Sequence, residues 1–189
     1  MIRLFSILLA GVLAAGLVGC ASSGADSAAS HTPADYTAAL ADSRTEEDNS
    51  NYTIFTLEDG NYTASKGYAE HLDSEAIASQ GQMSLEVLGL AAEDVQSAAY
   101  SVSLMNVKAY GVAIVKPAEG KTDAVKEALS GFIEAQKSAQ ENYLADQYAI
   151  AKAAKLETLK SGEVVPVSYT HLTLPTIRTR CRSRWSPYH

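Results

Sequence analysis

His71, Asp73 and Glu75, with Glu70 adjacent, are the side chains whose types best suit metal binding. Tetrahedral or open metal sites need three or four converging ligands, and zinc enzymes commonly present paired histidines on one helical face. No HExxH pattern or paired histidine accompanies this cluster, so EHLDSE reads as a solvated polar segment and no metal is expected. Glu46, Glu47 and Asp48, with Asn49, offer oxygens to calcium. They lack the glycine turn and distal glutamate of a dedicated loop, and read as a solvated charge run. Glu93-Asp94 is a possible acid–base pair, although nothing flanking it would raise a carboxyl pKa, and a connecting turn is the plainer reading. Ser130-Gly131 has no nucleophile elbow around it. No phosphate-binding glycine loop occurs, so no cofactor is expected. Tyr100, Tyr110, Tyr143 and Tyr148 could line a groove, with core-edge packing the commoner role. Lys108, Lys116 and Lys121 read as solvated. No catalytic residue is assigned.

That leaves Cys20. Arg3 precedes an apolar run from Leu4 to Val18, broken only by Ser6. The run is about fifteen residues, short of the ~20 a spanning helix needs, and fits the apolar region of a secretory leader. Leu17-Val18-Gly19-Cys20 closes it, with an apolar residue three before the cysteine and a small one just before it. This stretch resembles the lipobox of bacterial lipoproteins. The resemblance implies a thioether from the Cys20 thiol to diacylglycerol, with palmitate-type acyl chains, and cleavage between Gly19 and Cys20. Buried acyl chains contribute about 0.8 kcal/mol per methylene, and two chains hold a protein stably. The expected location is the extracytoplasmic face of the cell membrane.

Residues 167–189, VSYTHLTLPTIRTRCRSRWSPYH, look like translated sequencing adapter, with Ile177 to Arg180 where a variable index would fall. A foreign segment belongs outside fold reasoning. The chain has formal charge −7. Without residues 167–189 it becomes −11, and −12 once Arg3 leaves with the leader. Clustered Lys and Arg are what phosphate backbones require, so nucleic acid is excluded as a partner. Cys181 drops out with the tail, leaving Cys20 without a disulfide partner.

The elements follow from patterning. Ala21 to His31 is small and polar and reads as a tether, giving 1–19 as signal peptide and 20–31 as lipidated cysteine and linker. A single domain over 32–166 is expected, best defined over 83–165. Thr32-Pro33 opens a short helix with Tyr36, Ala39 and Leu40 as its apolar stripe. Arg44 to Ser50 reads as a solvated connection. Asn51 to Leu57 suits a strand before the turn at Glu58-Asp59-Gly60-Asn61. Met83 to Leu90 reads as a short helix. Ala98, Tyr100, Val102 and Leu104 alternate with Ala99, Ser101 and Ser103, a strand with one buried face. A partner strand covers Tyr110 to Lys116. Thr122 caps a helix to about Asn142, with Gly131 inside it suggesting close packing on a sheet. A further helix spans about Leu144 to Ala153, and Leu156 to Lys160 and Glu163 onward form a hairpin. The expected class is α+β: a small antiparallel sheet of about four strands in two hairpins, helices on one face, C-terminally truncated.

The stretch SVSLMNVKAYGVAIVKP, the helix after it, QYAIAKAA and LKSGEVV resemble a family of uncharacterised small lipoproteins of Gram-positive gut bacteria, grouped as a domain of unknown function. The likeness covers roughly Met83 to Val165. It implies an envelope location and supplies no catalytic residues. The expected function is therefore a membrane-anchored, non-enzymatic interaction module. Its partner would be an envelope protein, a peptide or a wall polymer. An envelope hydrolase using carboxylates and a solute-capture lipoprotein are the alternatives.

Overall fold

The structure is a computed structural model, and it describes residues 31–105 and 108–168. Thr32 opens α1 (Pro33–Asp42) with a capping box: its hydroxyl accepts from the Asp35 N–H, and Asp35 accepts from the Thr32 N–H. Such reciprocal bonds satisfy two donors a helix start would otherwise leave open. Tyr36 and Leu40 form the buried stripe. Residues 44–50, expected as a solvated connection, instead contain α2 (Glu46–Asn51), capped by Thr45. The acids in its first turn favour the positive end of the helix.

The strands are β1 (Ile54–Glu58), β2 (Asn61–Ser65), β3 (Val95–Val102), β4 (Gly111–Pro117), β5 (Lys155–Thr158) and β6 (Val164–Ser168). They form one sheet in the order β2-β1-β3-β4-β6-β5, every neighbour antiparallel. Six strands replace the four expected. The additional edge strand β2, NYTAS, is polar because much of it stays accessible. It therefore carries no alternation to read. Asp59 and Gly60 join it to β1 at φ 49° and 78°, the left-handed pair a two-residue hairpin requires. The last strand runs two residues beyond the boundary expected at 166, through Val167 and Ser168.

Helices cover both faces of the sheet, not one. On one side α3 (Ser74–Val87) and α4 (Thr122–Gln140) pack Leu85, Leu88, Val125, Leu129, Phe132 and Ile133 against Phe55, Leu57, Ala98, Tyr100, Ala113, Val115 and Val164. On the other, α1 lays Tyr36 and Leu40 over Ile54, Ala99, Val112, Ile114, Val165 and Val167. The second buried face was hidden in the sequence because β3 builds it from small residues. Ala99 and Ser101 look like outward positions, yet both are fully buried. Gly111 permits the closest helix approach: a Cβ there would lie 2.5 Å from Phe132 Cζ.

Two helices differ from expectation. α3 starts nine residues before Met83 because its first half faces β2 with small residues, Gly81 lying against the Tyr62 ring. α4 is capped at Lys121, so Thr122 is its first helical residue. α5 (Ala145–Ala153) follows it. Gly131 does not mark close packing. It is exposed, and a Cβ there would meet nothing within 4 Å. Alanine loses less backbone freedom than glycine in a helix. Gly131→Ala should therefore stabilise the domain by about 0.5–1 kcal/mol in urea unfolding; a loss of stability would show that this flank of α4 is covered.

Candidate functional site

The described chemistry-bearing residues are dispersed over the fold. His71 Nε2 lies 3.6 Å from Glu70, both well exposed. Asp73 caps α3 by accepting from the Ala76 N–H at 2.8 Å, and Glu75 occupies that helix's first turn. Local backbone needs thus account for the acidity of EHLDSE. Among the described residues no three His, Cys, Asp or Glu gather as a metal site. Glu46, Glu47 and Asp48 form the first turn of α2, where the Asp48 carboxylate accepts from the Thr45 hydroxyl. Asp94 ends a 3₁₀ turn and pairs with Lys121 at 2.7 Å. The bond to Asp94, and then its charge, raise the Lys121 pKa.

The tyrosines do not share a groove. Tyr100 faces α3, donating its hydroxyl to the Gly81 carbonyl at 2.8 Å. Tyr110 lies on the opposite face, stacked on Tyr52 with centroids 4.2 Å apart. Tyr143 is exposed, and Tyr148 carries the Lys152 ammonium 5.3 Å over its ring. Ser130 is exposed midway along α4.

Two buried polar networks went unrecognised in the sequence. Arg44, inside the charged run RTEEDNS, is buried. Its Nε and one terminal nitrogen donate to Asn49 Oδ1 at 3.1 and 2.6 Å. The other terminal nitrogen donates to Ser101 Oγ at 3.0 Å and to the Tyr110 hydroxyl at 2.8 Å. One guanidinium thereby joins α2, β3 and the residue preceding β4, while Asn49 Nδ2 donates to the Ala41 carbonyl of α1 at 2.8 Å. The second network centres on Glu163, 1% exposed in the turn between β5 and β6. Its Oε1 accepts from the Tyr36 hydroxyl at 2.9 Å and lies 3.8 Å from Lys116 Nζ. Its other oxygen accepts from the Ser161 hydroxyl. Lys116 also donates to the Ser161 carbonyl at 2.5 Å, so it is not merely solvated.

Burial alone would raise the Glu163 pKa. The bonds from Ser161, its own backbone N–H and Tyr36, together with the Lys116 charge, outweigh that and hold it below the usual carboxylate range. Burial, and then the bond to Glu163, push Tyr36 far above the usual phenol value, so that proton stays on tyrosine. The network serves to lock α1 to the sheet.

Concavities among the described residues include two of note. The smaller, about 80 Å³, lies against the Tyr52–Tyr110 stack, with Asp48, Lys108, Ala109, Gln147 and Ile150 around it. It has room for little more than two waters. Gln147 closes its back by accepting from the Ala109 N–H at 3.0 Å. The larger, about 430 Å³, opens at the end of α3. It falls in the 300–1,000 Å³ range typical of ligand clefts. Leu85 and Leu90 form its apolar floor, Gly89, Ala91 and Ala92 keep it open, and Gln82, Glu86 and Glu93 supply polar edges. The Gln82 amide donates to Glu86 Oε1 at 3.0 Å, orienting that carboxylate. This cleft is the roomier of the two. The repeated leucines of LEVLGL were its only sequence signal.

Leu17 to Cys20 lie outside the described residues, as do 169–189. Among the described residues no helix is long and apolar enough to cross a membrane. Residues 70–165 match a family model described as a domain of unknown function, DUF4358, about half of the chain, and the chain belongs to that family. No curated protein and no solved structure matches it. The family match begins after β2, yet β1 pairs with β3 and α1 covers one sheet face, so residues 32–65 are integral to the fold.

Proposed function

We propose that this DUF4358 protein is an extracytoplasmic lipoprotein, held at the cell membrane by a diacylglyceryl group on Cys20, and that its domain is a non-enzymatic interaction module of the envelope. The observation that carries the reading is Leu17-Val18-Gly19-Cys20 at the end of an apolar leader, separated by eleven residues from the helix cap Thr32. Fully extended, those residues span at most ~40 Å, which keeps the domain close to the bilayer. Tethering of that kind raises the effective concentration of a weak binder at the surface without new contacts. The partner is an envelope protein, peptide or wall polymer. The non-enzymatic role is supported by the way carboxylates are employed: Glu163 in a buried lock, Asp94 in an ion pair, Asp73 in a helix cap.

Residues 167–189 belong, in this reading, to adapter-derived sequence, its first two residues, Val167 and Ser168, taking strand positions beside β4. The test of the anchor is metabolic labelling with an alkyne-bearing palmitate. The unaltered chain should incorporate label and sediment with membranes. Cys20→Ala should incorporate none. Equal label in both, or none in either, removes the anchor.

A further inference from the structure

The sheet ends at β2 on one side and β5 on the other, and among the described residues no strand pairs with the outer side of either. Edge strands present unpaired N–H and C=O groups that template pairing with another chain. Which groups β5 presents follows from its ladder with β6. The Leu159 N–H donates to the Glu163 carbonyl at 2.8 Å. The hydrogen-bonded positions of that ladder are therefore Leu159 with Glu163, Glu157 with Val165 and Lys155 with Val167. Pro166, which has no N–H to give, falls opposite Leu156 at a position that needs none. Leu156 and Thr158 thus aim their N–H and C=O groups away from the sheet. The side chains alternate across it. Leu156 packs on the core beneath α4, while Lys155 and Glu157 lie on the other face, both exposed.

We propose that β5 is a self-pairing edge, joining two copies of this chain antiparallel about a twofold axis at Leu156. On that axis the two Leu156 residues exchange both backbone bonds, and each Thr158 N–H reaches the partner's Ala154 carbonyl. Lys155 of each copy then lies directly opposite the partner's Glu157 on one exposed face, and opposite charges so placed attract. The neighbouring axes, at Lys155 and at Glu157, would set like charges directly opposite each other, which is destabilising. The strand is therefore complementary to its own antiparallel copy in one register. β2 offers no such selection, because NYTAS carries no charge. Lys152 to Lys160 also hold three Lys against one acid in a chain of net charge −7, so two copies meet where their negative charges repel least. The contact is isologous and closes at the dimer. An edge of four residues buries far less than the roughly 1,200 Å² of a stable complex, which makes the pair transient. The assignment goes beyond the envelope role and rests neither on the lipid anchor nor on an envelope partner.

A transient pair is best trapped covalently. Leu156→Cys puts a thiol on the axis, where Cα atoms in a hydrogen-bonded pair lie about 5.5 Å apart, within the span of a disulfide. Thr158→Cys lies off the axis, too far from its own copy to bridge. The purified full chain, in neutral detergent with copper phenanthroline as oxidant, should form disulfide dimer faster with Leu156→Cys than with Thr158→Cys. The latter should match the unaltered chain, whose own Cys20 and Cys181 set the baseline. On the Leu156→Cys background, Lys155→Glu should slow the initial rate of dimer formation roughly 10-fold, because two attractions become two repulsions. Adding Glu157→Lys exchanges the two signs and should restore the rate. Equal rates for Leu156→Cys and Thr158→Cys would mean chance collision, and would overturn the assignment. So would a Leu156→Cys rate at baseline, an unaltered rate in Lys155→Glu, or no recovery in the exchanged pair. Palmitate on Cys20 with Leu156→Cys at baseline sinks the pairing alone; a Leu156→Cys dimer of an unlabelled chain sinks the anchor alone.

Discussion

Glu163→Ala should destabilise the domain by about 3 kcal/mol, the lower end of what breaking a buried ionic network costs. The carboxylate is almost fully buried and holds three partners: Tyr36 from α1, Ser161 from its own turn and Lys116 from β4. Removing it takes the acceptor from the Tyr36 hydroxyl, on a residue only 1% exposed. Lys116 suffers less, because about a third of its side chain reaches solvent. Glu163→Gln keeps the shape and an acceptor and should cost about 1–2 kcal/mol. The sign of the pH dependence follows from the depressed carboxyl. Above the unfolded-state glutamate value, ~4.3, both states are ionised and the contribution is complete. As pH falls below that value, the unfolded chain takes up a proton first, and stability is lost down through the folded pKa. Urea midpoints between pH 6 and 3 should therefore fall more steeply for the unaltered chain than for Glu163→Gln. Identical slopes and identical midpoints would contradict the role given to this carboxylate.

Leu40→Ala and Leu129→Ala should each cost about 2–5 kcal/mol. The two leucines are fully buried on opposite sides of the sheet, Leu129 on the inner face of α4 and Leu40 on that of α1. The pair measures whether the two-faced architecture is equally firm on both sides. A domain of this size has only about 5–15 kcal/mol in total, so either change is a large fraction of it. Were α1 a loose appendage before the domain, Leu40→Ala would cost under ~1 kcal/mol while Leu129→Ala kept its full effect. The Glu163–Tyr36 bond and the Thr37–Thr56 hydroxyl contact at 2.8 Å argue that it is not.

Legibility in the sequence followed the size and regularity of the side chains. α4 was plain because Val125, Leu129, Phe132 and Ile133 recur at helical spacing. β3 and β4 were plain as strands, and the Thr32-Pro33 start and the Asp59-Gly60 turn announced themselves by local chemistry. What failed was the inference of sides. Ala99 and Ser101 are too small to signal burial, so the second covered face disappeared. Edge strand β2 and the first half of α3 carry few large apolar residues and gave no period. The site fared worse. Arg44 lies in a segment that composition marks as solvated and Glu163 opens a strand of a hairpin, and only long-range contacts, Arg44 to Ser101 and Glu163 to Tyr36, reveal their buried roles. The α3 cleft depends on the left-handed turn at Gly89, φ 76°, which throws Leu90 back beside Leu85.

The central claim concerns Cys20, and the mass of the mature N-terminal peptide tests it most directly. Membranes from cells expressing the full chain would be digested and the lipopeptides sequenced by mass spectrometry. The account predicts a peptide whose first residue is Cys20, carrying a diacylglyceryl mass on sulfur, with residues 1–19 gone. A peptide running unbroken from Leu17 through Ala21 with a free thiol, and no lipidated Cys20 beside it, would contradict it.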